Sequence, residues 1–507
     1  MSVPTRKIQK VLIANRGEIV ARVAASCRAE GIATVAVYSD ADRAALHVRT
    51  CDEAVRVGPA GASAPRETYL DQAAILAAAR ETGADAIHPG YGFLSENATF
   101  ARAVEAAGLV WIGPPPTAIE AMGSKIAARE TMVAAGVPVV PGVHDAGQNR
   151  AALVAAAERI GLPVLVKAAA GGGGTGMRAV HVRAELEEAL EAAAREAGAA
   201  FGDAAVYLEK LLVRPRHVEV QIFGDTQGLV IALGERECSI QRRHQKIVEE
   251  APSPALTAAL RHAMCEAAAA AGRAVGYVGA GTVEFMLDAD GAFYFLEMNT
   301  RLQVEHPVTE AIYGVDLVRA QLRVAAGLPL PWREAPAIRG HAIEVRLYAE
   351  DPAAGFLPAT GTLVRYRLPP LPGIRLDTGY AEGDEVAIHY DTMLAKLIAW
   401  GEDREHARAR LVDALERWEV HGVTTNLGFL RSVLAHPSFA AGATHTGFIA
   451  EHWPDGVLAE TASDDALIAA ALAEVMGLGR GDAGRAGGGS VAGESVWQRI
   501  GPWRAGA

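Results

Sequence analysis

Short apolar runs alternate with helix-spaced stretches from residue 8 to residue 120. Val11-Leu-Ile-Ala14 is apolar throughout, residues 17–30 carry apolar side chains at helical spacing, and residues 33–38 form a second strand-length run. A further helix is expected over 70–82 and a further strand over 84–87. Apolar strands separated by helices build a parallel sheet covered on both faces. Residues 1–116 therefore read as an α/β unit with a doubly wound, Rossmann-like parallel sheet, closed by the break Gly113-Pro-Pro-Pro116. From 117 to 330 the pattern mixes helices with hairpins. Residues 338–453 read as α+β, with strands over 341–348 and 361–367 and a helix over 404–418. Residues 454–507 hold a helix over 464–476, a Gly-rich linker over 477–490 and a tail.

The densest polar signal lies in the central region. A strand over 282–287 runs through Asp288-Ala-Asp290-Gly291 into Phe293-Tyr-Phe-Leu-Glu297-Met-Asn299. Asp-Gly is a two-residue hairpin signal. With Ala289 opposite Ala292, counting outward sets Glu284 opposite Glu297. Two carboxylates facing each other across a ladder repel, and an oxygen-seeking divalent cation such as Mg²⁺ resolves the repulsion. A solvated hairpin with two surface acids is the plainer alternative. If the chain stays extended, Arg301, Gln303 and Glu305 continue the row, because side chains two apart share a face. Such a row is costly to bury without a ligand.

Upstream, Val164-Leu-Val-Lys167 leads into a loop with five glycines in the six positions 171–176. Glycine lets successive backbone N–H groups converge on phosphate oxygens. Lys167 precedes the glycines, so this is no Walker A loop; it reads as a lid closing over ATP, with Lys167 reaching back to a phosphate. Glu209-Lys210 ends another strand-like run, either as an exposed ion pair or as part of a nucleotide clamp. Gln241-Arg-Arg-His244-Gln-Lys246 is either a solvated basic turn or an anion site. The turn Asn15-Arg16-Gly17-Glu18 and the loop 88–97, with Tyr91 and Glu96, follow strand ends, where doubly wound sheets bind ligands.

Composition narrows the class. A net charge of −12 over 507 residues argues against nucleic-acid binding, and no apolar run is long enough to span a membrane. Cys27, Cys51, Cys238 and Cys265 lack metal-ligand spacing and suit a reducing, cytoplasmic setting. Only seven of the 48 basic residues are lysines: Lys7, Lys10, Lys125, Lys167, Lys210, Lys246 and Lys396. In a chain that uses arginine for generic positive charge, a retained lysine is a candidate for work that needs a compact ammonium.

Taken together, residues 6–450 resemble biotin carboxylase, an ATP-grasp enzyme. The resemblance is carried by Ile13-Ala-Asn-Arg-Gly-Glu-Ile19, residues 88–97, the Gly171 loop, residues 235–246 and residues 297–307. It implies a pre-ATP-grasp domain, a central ATP-grasp domain with a lid over about 140–212, and a C-terminal biotin carboxylase domain. It implies that Lys125, Lys167, Gly173, Gly174, Glu209, Lys210, Leu211, Leu212, His217 and His244 contact ATP. Glu284, Glu297 and Asn299 would hold Mg²⁺ or Mn²⁺, with Glu284 also beside the nucleotide. Lys246, Arg301, Gln303 and Val304 would bind bicarbonate, Glu305 would be the base, and Arg346 would stabilise the biotin enolate, with Tyr91 near the biotin ring. Ser124 stands where the family commonly has Asp, and Thr175 where the loop often has Lys or Arg.

The implied reaction is ATP-dependent carboxylation of biotin by bicarbonate through carboxyphosphate. No Ala-Met-Lys-Met signal is present in this sequence, so biotin would arrive on a carrier protein or domain, on another chain or on a segment outside it. The resemblance also implies a carboxyltransferase partner and a homodimer. Tyr348 and residues 357–362 resemble the branched acyl-CoA type of carboxylase. A carboxylate–amine ligase of the ATP-grasp class and a non-catalytic nucleotide-binding subunit are the alternatives.

Overall fold

The computed structural model describes residues 5–143, 150–168, 177–201, 204–243, 245–457 and 464–476. Five parallel strands form the N-terminal sheet, in the order Glu53–Arg56, Ala33–Tyr38, Lys10–Ile13, Ala86–His88, Val110–Trp111. The order reverses at Lys10–Ile13, so the doubly wound expectation is borne out. The crevice at that switch point lies between the turn after Ile13 and the loop after His88. Asn15 Nδ2 ties the two together by donating to the carbonyls of Pro89 at 2.8 Å and Tyr91 at 2.7 Å. Gly90 has φ 65°, and a Cβ there would lie 2.7 Å from Asn15 Nδ2, so this close approach needs glycine.

The central and C-terminal regions share one eight-stranded sheet, a continuity that the sequence pattern did not disclose. Its order is Phe293–Asn299, Gly279–Leu287, Arg216–Gly224, Val230–Arg242, Gln245–Ala251, His341–Tyr348, Met393–Gly401, Ile374–Thr378. The strand Arg216–Gly224 is buried along nearly its whole length, which places Glu219 and Gln221 inside the molecule. Helices Ala258–Ala274 and Arg404–Arg417 pack on the sheet. A separate four-stranded sheet, in the order Gly142–Val143, Val206–Lys210, Val164–Ala168, Arg178–Val180, carries helices Arg150–Ile160 and Leu186–Phe201. It has its own apolar core, with Leu153, Val166, Leu190 and Leu208.

Two expectations on local structure are corrected. The strand expected over 361–367 is divided: Gly361–Thr362 pairs with Glu385–Val386, whereas Arg365–Arg367 pairs with Glu419–His421. Between them Leu363 is fully buried and gives its N–H to the Asp384 carbonyl, so the chain changes partners there. The hairpin at Asp290-Gly291 does not close on Ala289 and Ala292. Asp288 N–H donates to the Ala292 carbonyl at 2.8 Å and Leu287 faces Phe293, a turn one residue longer than expected. A bulge near Leu296 then restores the register, and Glu284 does face Glu297. Among the described residues no helix is long and apolar enough to cross a membrane.

Candidate active site

Glu284 occupies the centre of a buried polar cluster. Its Oε1 accepts from Lys246 Nζ at 2.8 Å, Asn299 Nδ2 at 2.9 Å and Gln303 Nε2 at 2.8 Å, while His217 Nε2 lies 2.8 Å from Oε2. Burial alone would raise its pKa, but Lys246 and His217 outweigh that and hold the carboxyl well below the usual range. Glu297 is the more exposed of the two, and its partial burial together with the facing Glu284 raises its pKa. The pair is therefore asymmetric, one acid ionised firmly and the other reluctantly.

The polar row bends. The strand ends at Asn299, and the helix His306–Tyr313 begins seven residues after it. Arg301 swings to the N-terminal domain, where Nε donates to Glu96 Oε2 at 2.9 Å, and its Nη2 reaches back to Asn299 Oδ1 at 2.9 Å. Gln303 and Glu305 turn inward instead of continuing along one extended face. The reason is local: Pro307 fits the first turn of a helix, and the chain must leave the sheet to enter it.

Glu305 is fixed between two cations. Oε1 accepts from Lys246 Nζ at 2.6 Å and Oε2 from Arg346 Nη2 at 2.9 Å. Burial would raise its pKa, yet Lys246 and Arg346 hold the carboxyl well below the usual range. Lys246 also meets Glu219 Oε2 at 2.5 Å, so one ammonium joins three carboxylates. Burial opposes its charge, but the three acids keep its pKa well above the usual lysine range.

Residues that the sequence reading left out hold this cluster in place. Arg236, fully buried, donates to Glu219 Oε1 at 2.5 Å, Gln221 Oε1 at 2.8 Å, Thr309 Oγ1 at 2.9 Å, Thr282 Oγ1 at 3.1 Å and Gln303 Oε1 at 3.0 Å. The signal was available as Glu219 and Gln221 alternating with valines and isoleucine along one strand. Lys396, singled out only by the scarcity of lysine, is fully buried; its Nζ donates to the Val304 carbonyl at 2.9 Å and lies 3.1 Å from Glu18. Glu18 in turn accepts from the Tyr91 hydroxyl.

The other expected residues fall on the small sheet or outside the described residues. Lys167 pairs with Glu209 between neighbouring strands. Lys210 Nζ donates to the carbonyls of Gly161 at 3.0 Å and Leu162 at 3.1 Å, and Leu211 N–H to that of Pro163 at 3.0 Å. Leu212 follows just past the strand end. Gly173, Gly174, Thr175 and His244 lie outside the described residues, as do the side chain of Lys125 and residues 477–507. Ser124 caps the helix Lys125–Ala134 by accepting from Ala127 N–H, which is work an Asp could also do.

A cavity of about 260 Å³ opens beside the strand Phe293–Asn299, lined by Glu96, Met122, Leu296, Glu297 and Asn299 among others. The donors Glu284, Glu297 and Asn299 offer hard oxygen ligands, and the two acids face each other across the hairpin, where a cation would relieve their repulsion. The donor set fits Mg²⁺ or Mn²⁺.

Three family matches run along the chain in order. Residues 7–119 match the biotin carboxylase N-terminal domain, 124–333 the carbamoyl-phosphate synthase L chain ATP-binding domain, and 344–451 the biotin carboxylase C-terminal domain. The mitochondrial methylcrotonoyl-CoA carboxylase subunit alpha of Dictyostelium discoideum is 52% identical over 475 residues, covering 93% of this chain and 67% of that one. The chain thus spans about two thirds of that subunit's length. A biotin carboxylase from Campylobacter jejuni, solved with a β,γ-ATP ligand, superposes with a TM-score of 0.80 at 43% identity over 88% of this chain and 99% of its own. The biotin carboxylase domain of the 2-oxoglutarate carboxylase of Hydrogenobacter thermophilus, a dimer with MgADP, ADP and bicarbonate, gives 0.78 at 45% identity over 88% and 98%. Matched across all three of its parts and along nearly the full length of solved biotin carboxylases, the chain belongs to the biotin carboxylase family.

Proposed function

We propose that this chain carboxylates biotin, using ATP and bicarbonate, as the biotin carboxylase component of an acyl-CoA carboxylase. The observation that carries the reading is Glu305 held between Lys246 and Arg346 beside the Glu284–Glu297 pair. Lys246, Arg301, Gln303 and the Val304 backbone bind bicarbonate, and Glu305 takes its proton. An incoming anion competes for Lys246, so the carboxylate loses part of its stabilisation and becomes a better base when the substrate is present. The γ-phosphoryl group passes to bicarbonate, with Lys125, Lys167 and His217 near the nucleotide phosphates. Glu284, Glu297 and Asn299 would hold Mg²⁺ or Mn²⁺, which when bound neutralises phosphate charge. Carboxyphosphate cleaves to CO₂ and phosphate, the freed phosphate takes the biotin N1′ proton, Arg346 stabilises the resulting enolate as it captures CO₂, and Tyr91 orients the ring.

In the same reading, residues 140–212 form the lid, Gly173 and Gly174 close on the phosphates, and Glu209 to Leu212 with His244 line the nucleotide. A biotin carrier protein or domain and a carboxyltransferase are its partners. Support comes from the alpha-subunit relative and, for a homodimer, from the dimeric Hydrogenobacter domain. A methylcrotonoyl-type acyl-CoA is the end substrate proposed. A cytoplasmic setting is in keeping with four free cysteines, although the Dictyostelium subunit is mitochondrial. The test is ADP release with and without bicarbonate, then with free biotin. The reading requires release that depends on bicarbonate and rises with biotin; release indifferent to both overturns it.

A further inference from the structure

Glu249 and Glu344 stand directly opposite each other where Gln245–Ala251 meets His341–Tyr348. Both are fully buried. One Glu249 oxygen accepts from Arg346 Nε at 2.7 Å. Its other oxygen and both oxygens of Glu344 have no hydrogen-bond partner among the described residues. Three unpaired carboxyl oxygens on two directly opposed residues, away from bulk water, are costly unless a proton or an ordered water joins them.

The surroundings sharpen the point. Along His341–Tyr348, Ile343, Val345 and Leu347 pack into the C-terminal core with Ala407 and Leu411. Glu344 and Arg346 point to the other face, where Ala342 and Ile398 pack with Val308 and Ile312. Among the described residues, the titratable groups beside the two acids are Arg346 and Tyr348 on the strand of Glu344, Lys246 on the strand of Glu249, Lys396 from Met393–Gly401 and Glu305 from the catalytic side. Lys396 is already committed to Glu18 and the Val304 carbonyl.

We propose that Glu249 and Glu344 share one proton, Glu344 carrying it as a neutral acid and Glu249 carrying the charge that orients Arg346. The pair is then a positioning device for the arginine at the reacting centre, which rests on the biotin carboxylase reading above. Two carboxyls in one dry site resist ionising together. Burial, reinforced by Glu249 and Glu305 and opposed by Lys396, pushes Glu344 well above the usual carboxyl range. Burial pushes Glu249 up to about 7 against the pull of Arg346.

Infrared titration of the whole protein, with ¹³C-labelled glutamate, reads the shared proton without any substrate. A protonated-carboxyl band persisting at neutral pH, lost in Glu344→Gln and kept in Glu305→Gln, is expected. Absence of that band in the unsubstituted protein, or its survival in Glu344→Gln, overturns the proposal. Kinetics form the second arm, read as bicarbonate-dependent ADP release stimulated by biotin. When Glu249 is an amide, Glu344 can take over the charge, so Glu249→Gln and Glu344→Gln are each partly impaired. The double variant is expected to lose at least ~10-fold more than the product of the single losses, with KM for ATP unmoved. Losses that simply multiply indicate independent structural roles and overturn it. A protein that shows the band but no bicarbonate-dependent turnover supports the shared proton while refuting the enzymatic reading.

Discussion

Lys246 Nζ donates to Glu305 Oε1 at 2.6 Å, so the candidate base is restrained by the same ammonium that an incoming anion would meet. Glu305→Gln keeps the shape and removes the basic oxygen. ATP binding is expected to remain while bicarbonate-dependent ADP release falls at least ~100-fold, the usual scale for a lost base. Binding is read by calorimetry and turnover by coupled assay; near-normal turnover would remove Glu305 from the role.

Lys246→Met leaves Glu219, Glu284 and Glu305 facing one another without their common cation. Breaking a buried charge cluster from one side costs about 3–5 kcal/mol. Urea denaturation should show a loss of that order together with loss of turnover. Unchanged stability would mean that the three acids are accommodated by protonation or water.

Glu297→Gln weakens the outward-facing member of the acid pair and leaves Glu284 with its four neighbours. The Mg²⁺ concentration giving half-maximal ADP release should rise at least ~10-fold. An unaltered Mg²⁺ dependence would exclude Glu297 as a ligand.

Arg236→Lys retains the charge but loses the planar fork that spans Glu219, Gln221, Thr309, Thr282 and Gln303. Gln303 then loses its fixed orientation. KM for bicarbonate is expected to rise ~10-fold or more with KM for ATP little changed. Equal change in both constants would point to general loosening of the sheet.

Acid stability should reflect two buried neutral histidines. Burial lowers His47 and His88 from 6.5 to about 4. His88 Nδ1 accepts from Gly90 N–H at 3.0 Å while Nε2 faces Gln321 Oε1 at 3.2 Å, an arrangement suited to the neutral ring. With folded values below the unfolded ones, the stabilisation is complete above 6.5 and is lost as pH falls toward 4. Across that window each group accounts for a loss of about 3 kcal/mol of stability. Melting temperatures across this window should fall steeply, and less steeply in His88→Gln.

Legibility differed from residue to residue. The parallel sheet could be read from apolar runs alone, because strands buried on both faces admit little else. The opposition of Glu284 and Glu297 was also readable, though by a route that the structure corrects: a longer turn and a bulge cancel. Lys396 was flagged by its rarity, but its burial beneath Glu18 and Val304 was not foreseeable, since its partners lie far away in the chain.

By itself, the order of residues determined the element types, the family motifs and the identity of the acids, amides and cations, because periodicity and side-chain chemistry are local properties. Only the tertiary structure decided that strands from the central and C-terminal regions form one sheet, placing Arg346 against Glu305 and Glu344 against Glu249. It also decided that Arg301 turns to Glu96 and that Arg236 ties Gln303 to Glu219. Those contacts join residues distant in the chain, and burial removes the water that would otherwise satisfy their charges. Which partner each group takes is therefore settled by packing.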